Sequence, residues 1–249
     1  MIAATFACWT VGTSMKRTVL AILLLAFPIP AFAIDHLEPE RSAFDTRANL
    51  WDVEYNDMVL TNFKDLFGEG VVARMIGLPS FDHEFGVGLS VSQGEWRIVA
   101  LESTRQLWAY YGSSPADIAQ YHLPPDWHDV PVLRCEQPIA PALGARLANL
   151  WEQILAGTRF QEGEAVRWGA DGKPQRGGEV IVGSDGATFH FSAWQMAGKT
   201  WSPPADSPPG MLVDIAGSMI DYCRHNDAKN LATMEHRAAA LEQRLGGVP

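Results

Sequence analysis

The sequence predicts an α+β fold: one domain with an antiparallel sheet built from two hairpins and with helices packed on one face. Three observations carry this expectation. Phe85, Val87, Leu89 and Val91 alternate with Gly86, Gly88, Ser90 and Ser92, the period-two pattern of a half-buried strand. The same alternation returns in Ala187–Trp194, where Phe189, Phe191 and Ala193 share one side and Thr188, His190, Ser192 and Trp194 the other. Between and after these stretches, apolar residues recur at three- and four-residue steps, the spacing of amphipathic helices.

The first helix is expected over Leu50–Phe67, where Leu50, Trp51, Tyr55, Met58, Val59, Phe63 and Phe67 fall at helical spacing before Gly68 and Gly70. Val71–Leu78 is a short apolar segment closed by Pro79. Gln93-Gly94 turns the first strand into its partner Trp96–Leu101, and the alternate glycines leave one face thin enough for a helix or large ring to lie close. Thr104–Tyr111 reads as a short helix, and Ser114-Pro115 as a second helix start with serine as cap and proline in the first turn. His122–Asp129 is a proline- and aromatic-rich loop, followed by a strand over Val130–Glu136. The strongest helical pattern is Pro141–Ala156, with Leu143, Leu147, Leu150, Trp151, Ile154 and Leu155 on one face and Gly157 as the stop.

A glycine-rich loop, residues 169–178, precedes Val180-Ile181-Val182 and the turn Ser184-Asp185-Gly186, which together suggest the second hairpin with Ala187–Trp194. A tight return through Gly198 then leads to Thr200-Trp201. Four prolines in Ser202–Pro209 break regular structure until Ser207 caps a helix carrying Leu212, Ile215, Met219, Ile220 and Cys223 on its buried side. Asp227 opens a last helix, with Leu231, Met234, Ala238, Leu241 and Leu245 as its seam.

The chain begins with an export signal. Met15-Lys16-Arg17, an apolar run Thr18–Phe27, two prolines and Ala31-Phe32-Ala33 follow the order of a cleavable signal peptide. Residues 1–33 are therefore read as a leader, with the signal peptide over 15–33 and residues 1–14 as an over-extended start. Residues 34–49 are a flexible lead-in, and 50–249 a single domain ending in a helical pair. Cleavage after Ala33 would deliver a periplasmic or secreted protein with no transmembrane segment.

Charge and cysteines narrow the partners. The formal charge is −10, and removal of Lys16 and Arg17 leaves 17 basic against 29 acidic residues, or −12. Such a surface repels nucleic acid and anionic membranes. Loss of Cys8 leaves Cys135 and Cys223, which an oxidising compartment would join.

Catalytic signatures are missing: there is no Gly-x-Ser-x-Gly, no Ser-x-x-Lys and no His-Glu-x-x-His. His190, His122 and His128 are the candidate catalytic side chains, by their carboxylate or hydroxyl neighbours. His122 and His128 lack a recognised ligand spacing, so no metal and no cofactor is assigned. Trp127, Trp168, Trp194 and Trp201 fall on loops, a strand edge or the polar side of a hairpin, where indoles serve recognition. The expectation is an exported binding or protein-interaction domain for an envelope ligand or protein, using Ala187–Trp201 and His122–Asp129. The alternative is an envelope-associated or secreted hydrolase with a non-motif active site.

Overall fold

The computed structural model describes residues 36–40, 53–159 and 186–246, together with the backbone of two short strands, 166–168 and 174–176. Residues 34–249 form one compact unit. Its centre is a seven-stranded sheet in which every neighbouring pair is antiparallel. The strands are β1 (Glu38–Glu40), β2 (Val71–Pro79), β3 (Phe85–Ser92), β4 (Glu95–Ser103), β5 (Val132–Ile139), β8 (Ala187–Ala193) and β9 (Met196–Trp201), while β6 (Val166–Trp168) and β7 (Pro174–Arg176) pair separately. The order across the sheet is β1-β9-β8-β2-β3-β4-β5.

The first hairpin forms as its alternation predicts. Gln93 (φ 53°) and Gly94 (φ 84°) take the left-handed conformations that a two-residue turn requires. The second hairpin differs. Ala187–Ala193 does not turn at Gly198; it turns at Trp194-Gln195 and pairs with Met196–Trp201. Trp194 takes the left-handed position (φ 54°), an uncommon place for a bulky residue. Gly198 instead lies inside β9, where a Cβ would stand 2.9 Å from Thr158 Cγ2 and 3.0 Å from the Glu38 carbonyl. Its glycine is needed for the close approach of β1, not for a turn. The expected strand Val180–Val182 and its turn through Asp185 lie outside the described residues, as do residues 1–33.

β1 lies within the lead-in expected over residues 34–49. Glu38, Pro39 and Glu40 pair with Lys199, Gly198 and Ala197, and Leu37 beside them is fully buried. Backbone pairing to an open edge needs no hydrophobic alternation, so this strand left no pattern in the sequence.

The α-helices are α1 (Val53–Asn62), α2 (Pro115–Gln120), α3 (Pro141–Ala156), α4 (Pro208–His225) and α5 (Ala228–Gly246). Successive sheet residues reach different cores. Met75, Val87, Leu89, Ile98 and Ala100 pack with α3, α4 and α5, where Trp151, Leu212, Met219 and Leu241 are buried. Ile76, Val99 and Leu101 pack with Tyr55, Met58 and Val59 of α1. Side chains alternate across a strand, so α1 covers the face opposite α3 and α4. The expected grouping of all three helices on one face holds for α3 and α4 only. The space above Gly86 and Gly88 is filled by Leu66 of the 3-10 turn Lys64–Phe67, whose methyl carbons would lie 2.5 and 3.1 Å from a Cβ there.

Local caps are as the sequence predicts. Ser114 and Asp117 form a reciprocal capping box on α2, and Ser207 accepts from Gly210 N at the start of α4. The sulfurs of Cys135 and Cys223 are 2.06 Å apart, which places edge strand β5 against α4. Among the described residues no helix is long and apolar enough to cross a membrane.

Candidate functional site

Antiparallel pairing brings distant segments to one end of the sheet. There β2 ends and β3 begins, β4 ends at Ser103, β5 begins, and Trp201 of β9 stands opposite Thr188 of β8. The connections at this end are tied together by hydrogen bonds. Ser202 N donates to the Ala187 carbonyl and Ser80 N to the Gly186 carbonyl, each at 2.8 Å. Gln106 Nε2 donates to the Ser80 carbonyl, also at 2.8 Å. A continuous chain of contacts therefore runs from Trp201 through residue 80 to the 3-10 turn Leu107–Tyr110.

Glu84 anchors that turn. It is completely buried, and its carboxylate accepts from Tyr55 Oη (2.8 Å), Leu107 N (2.7 Å) and Trp108 N (2.9 Å). The two amides are the first free donors of the turn, where negative charge is favourable. Tyr55 then meets Trp108 edge-on at 4.9 Å between ring centres, and the Tyr111 ring is 4.8 Å from Trp108.

Large aromatic surface remains in solvent along this end: Phe81 is 75% exposed, Trp108 42% and Trp201 37%. The Trp201 ring lies over Gly186, where a Cβ would come within 2.5 Å of it. The strands from β9 to β5 are five steps of about 4.8 Å apart, so the rim spans roughly 24 Å. The His122–Asp129 loop closes the β5 side, with Thr104 donating twice to the Pro131 carbonyl.

The four tryptophans named from the sequence separate. Trp201 joins this rim, whereas Trp194 stands at the opposite end of the β8–β9 hairpin, 65% exposed. Six residues of strand at about 3.3 Å each keep the two apart by nearly 20 Å. Trp127 packs partly against the α1-side core and stacks on His128 at 3.6 Å. Trp168 ends β6, and its side chain lies outside the described residues.

The candidate histidines separate too. His128 Nδ1 is 2.6 Å from Asp126 Oδ1. The Asp126 carboxyl is held below the usual range, first by the His128 backbone N–H and then by its ring. His122 lines a cleft at the β4–β5 end. His190 lies on β8, its Nδ1 3.1 Å from both carboxylate oxygens of Glu40, and Lys199 Nζ is 3.9 Å from the same carboxylate. This pair is largely buried, with 11% and 7% of the two side chains exposed. A carboxylate on Nδ1 orients a histidine as a base would need to be oriented. Among the described residues no three histidine, cysteine or carboxylate side chains converge to hold a metal ion.

Sequence reasoning assigns no functional role to Phe81, Trp108 or Glu84 at this end. One signal was present: Phe81 is a large apolar residue inside the polar turn Ser80–Glu84 between two apolar strands. Comparison with family models, curated proteins and solved structures finds no match for this chain.

Proposed function

We propose that this chain is an exported binding domain of the cell envelope or periplasm, released by cleavage after Ala33. Its contact surface is the sheet end carrying Phe81, Trp108 and Trp201. The observation that carries the reading is the exposure of three large aromatic rings on connections tied together by hydrogen bonds. Rigid, solvent-facing aromatics lose little entropy on binding and supply most of the energy in many recognition surfaces. Two further features support it: the leader-like sequence of residues 15–33 and a cysteine pair at bonding distance, suited to an oxidising compartment. The ligand is an envelope component or protein, and the acidic charge disfavours nucleic acid.

The test is a photo-reactive residue at position 81 or 194, introduced into the chain expressed in its own host. Crosslinking from position 81, lost in Trp201→Ala and Trp108→Ala, is the expected result, with position 194 silent. Crosslinking from 194 and not from 81 would move the surface to the other end of the hairpin and refute the assignment. A mature mass beginning at residue 34 would support export, and a retained leader would refute it.

The alternative, an envelope hydrolase, draws on the Glu40–His190 pair. It predicts an activity abolished by His190→Ala and kept by His36→Ala.

A further inference from the structure

Beside the aromatic rim a cleft of about 520 Å³ opens between the end of β4 and the loop before β5, lined by Thr104, Arg105, His122, Leu123, Pro124 and Pro131. Its walls are held in place. Thr104 N and Oγ1 both donate to the Pro131 carbonyl (3.0 and 2.9 Å), Leu123 N to the Ile118 carbonyl (3.1 Å), and Ser103 Oγ to the Arg105 carbonyl (2.5 Å). His122 takes the left-handed conformation (φ 54°) just past the end of α2, where the Leu123 N to Ile118 carbonyl bond closes the helix.

The charges in the cleft are unbalanced. Arg97 and Arg134, on neighbouring strands, both pair with Glu136. Arg105 makes no ion pair among the described residues, although the chain carries ten more negative than positive charges. Asp126, in the loop before β5, is committed to His128. Tyr110 ends the 3-10 turn that follows Arg105 in the chain. Its hydroxyl is buried and has no hydrogen-bond partner. Burial raises its pKa, Arg105 opposes that shift, and Asp126 and Asp129 add to it, so all three charges reach this hydroxyl. Arg105 is thus an unpaired guanidinium in a cleft whose other lining residues are Thr104, His122, Leu123, Pro124 and Pro131.

We infer that this cleft binds a small organic carboxylate with an apolar body, its carboxylate on Arg105 and its body against Leu123, Pro124 and Pro131. The volume is within the range of small-molecule sites. One planar guanidinium matches a carboxylate with two parallel hydrogen bonds. A phosphate dianion would need more donors than one guanidinium supplies. The inference gives a ligand class to the binding end of the sheet, and rests on that reading.

The experiment is a titration of the isotope-labelled, disulfide-intact mature protein with benzoate, followed by backbone amide signals. Benzamide serves as the neutral isostere and inorganic phosphate as the bare anion. Benzoate is expected to shift Thr104, Arg105, His122 and Leu123 saturably, with benzamide at least tenfold weaker and phosphate without effect at these residues. Arg105→Gln, at an exposed position, should keep a folded spectrum and weaken benzoate at least tenfold, with Arg105→Lys between. No saturable shift with benzoate, an equal response to benzamide, or an unchanged affinity in Arg105→Gln would overturn the inference, as would tighter binding of phosphate. If position 81 still crosslinks when benzoate fails, the ligand class falls and the binding reading stands. If benzoate binds and position 81 is silent, the cleft stands as a site independent of the rim.

Discussion

Replacing Glu84 by alanine removes the acceptor on which the Leu107–Tyr110 turn is built. Three donors are affected: Tyr55 Oη, Leu107 N and Trp108 N. A hydrogen bond to a charged group contributes about 1.5–3 kcal/mol, and a buried donor left unpaired costs about 1–3 kcal/mol. Trp108 is partly exposed, so its amide recovers a water; Tyr55 and Leu107 are buried and do not. The sum is a loss of about 4 kcal/mol for Glu84→Ala, and about half that for Glu84→Gln, which keeps the shape and one neutral acceptor. With a urea slope of about 2–3 kcal/mol per molar, the alanine variant should unfold at a midpoint lower by roughly 1.3–2 M, at unchanged slope. Tryptophan emission should shift to the red as Trp108 leaves Tyr55. A midpoint lowered by less than about 0.4 M, worth roughly 1 kcal/mol, would refute the reasoning, because the donors would then have other partners.

Three other perturbations have definite signs. Gly144→Ala in α3 would ordinarily stabilise a helix by about 1 kcal/mol, but a Cβ there would lie 2.4 Å from the Trp96 ring, so thermal unfolding should show a net loss of about 1–3 kcal/mol. Joining Cys135 and Cys223 closes an 88-residue separation, so Cys135→Ala/Cys223→Ala should cost about 4–5 kcal/mol in chemical unfolding; the wild-type mass should be two hydrogens short of the fully reduced chain. The Glu136 carboxyl is held below its usual range by hydrogen bonds first from Arg134 and then from Arg97, so its folded pKa is depressed. Its contribution is present above the unfolded carboxylate value of about 4.3 and is lost as pH falls through the folded pKa, so the unfolding midpoints of wild type and Glu136→Gln should converge between about pH 5 and pH 3.

Local patterns in the chain carry much of the fold. Phe85–Val91 makes β3 because alternation selects a strand with one face buried, and Gln93-Gly94 makes its turn because two successive left-handed residues fit the twist of a hairpin. Leu143 to Leu155 makes α3, and Ser114 and Ser207 cap their helices, because these signals act within a few residues of themselves. With Cys8 read as part of a leader, Cys135 and Cys223 are the two cysteines left to pair, and their sulfurs are 2.06 Å apart.

What tertiary structure decided has no local signature. β1 pairs through backbone alone, and the glycine that admits it, Gly198, resembles a turn residue in sequence. The face on which α1 packs depends on sheet order, which placed β2 between β3 and β8. Glu84 caps a turn 23 residues away, so nothing near it in the chain announces the bond. The separation of Trp194 from Trp201 has the same origin. Both occupy the β8–β9 hairpin, but a two-residue turn at Trp194-Gln195 sends them to opposite ends of the sheet. Residue type and spacing decide which face a side chain takes; which distant segments meet at the end of a strand is decided by pairing, and pairing is a property of the whole sheet.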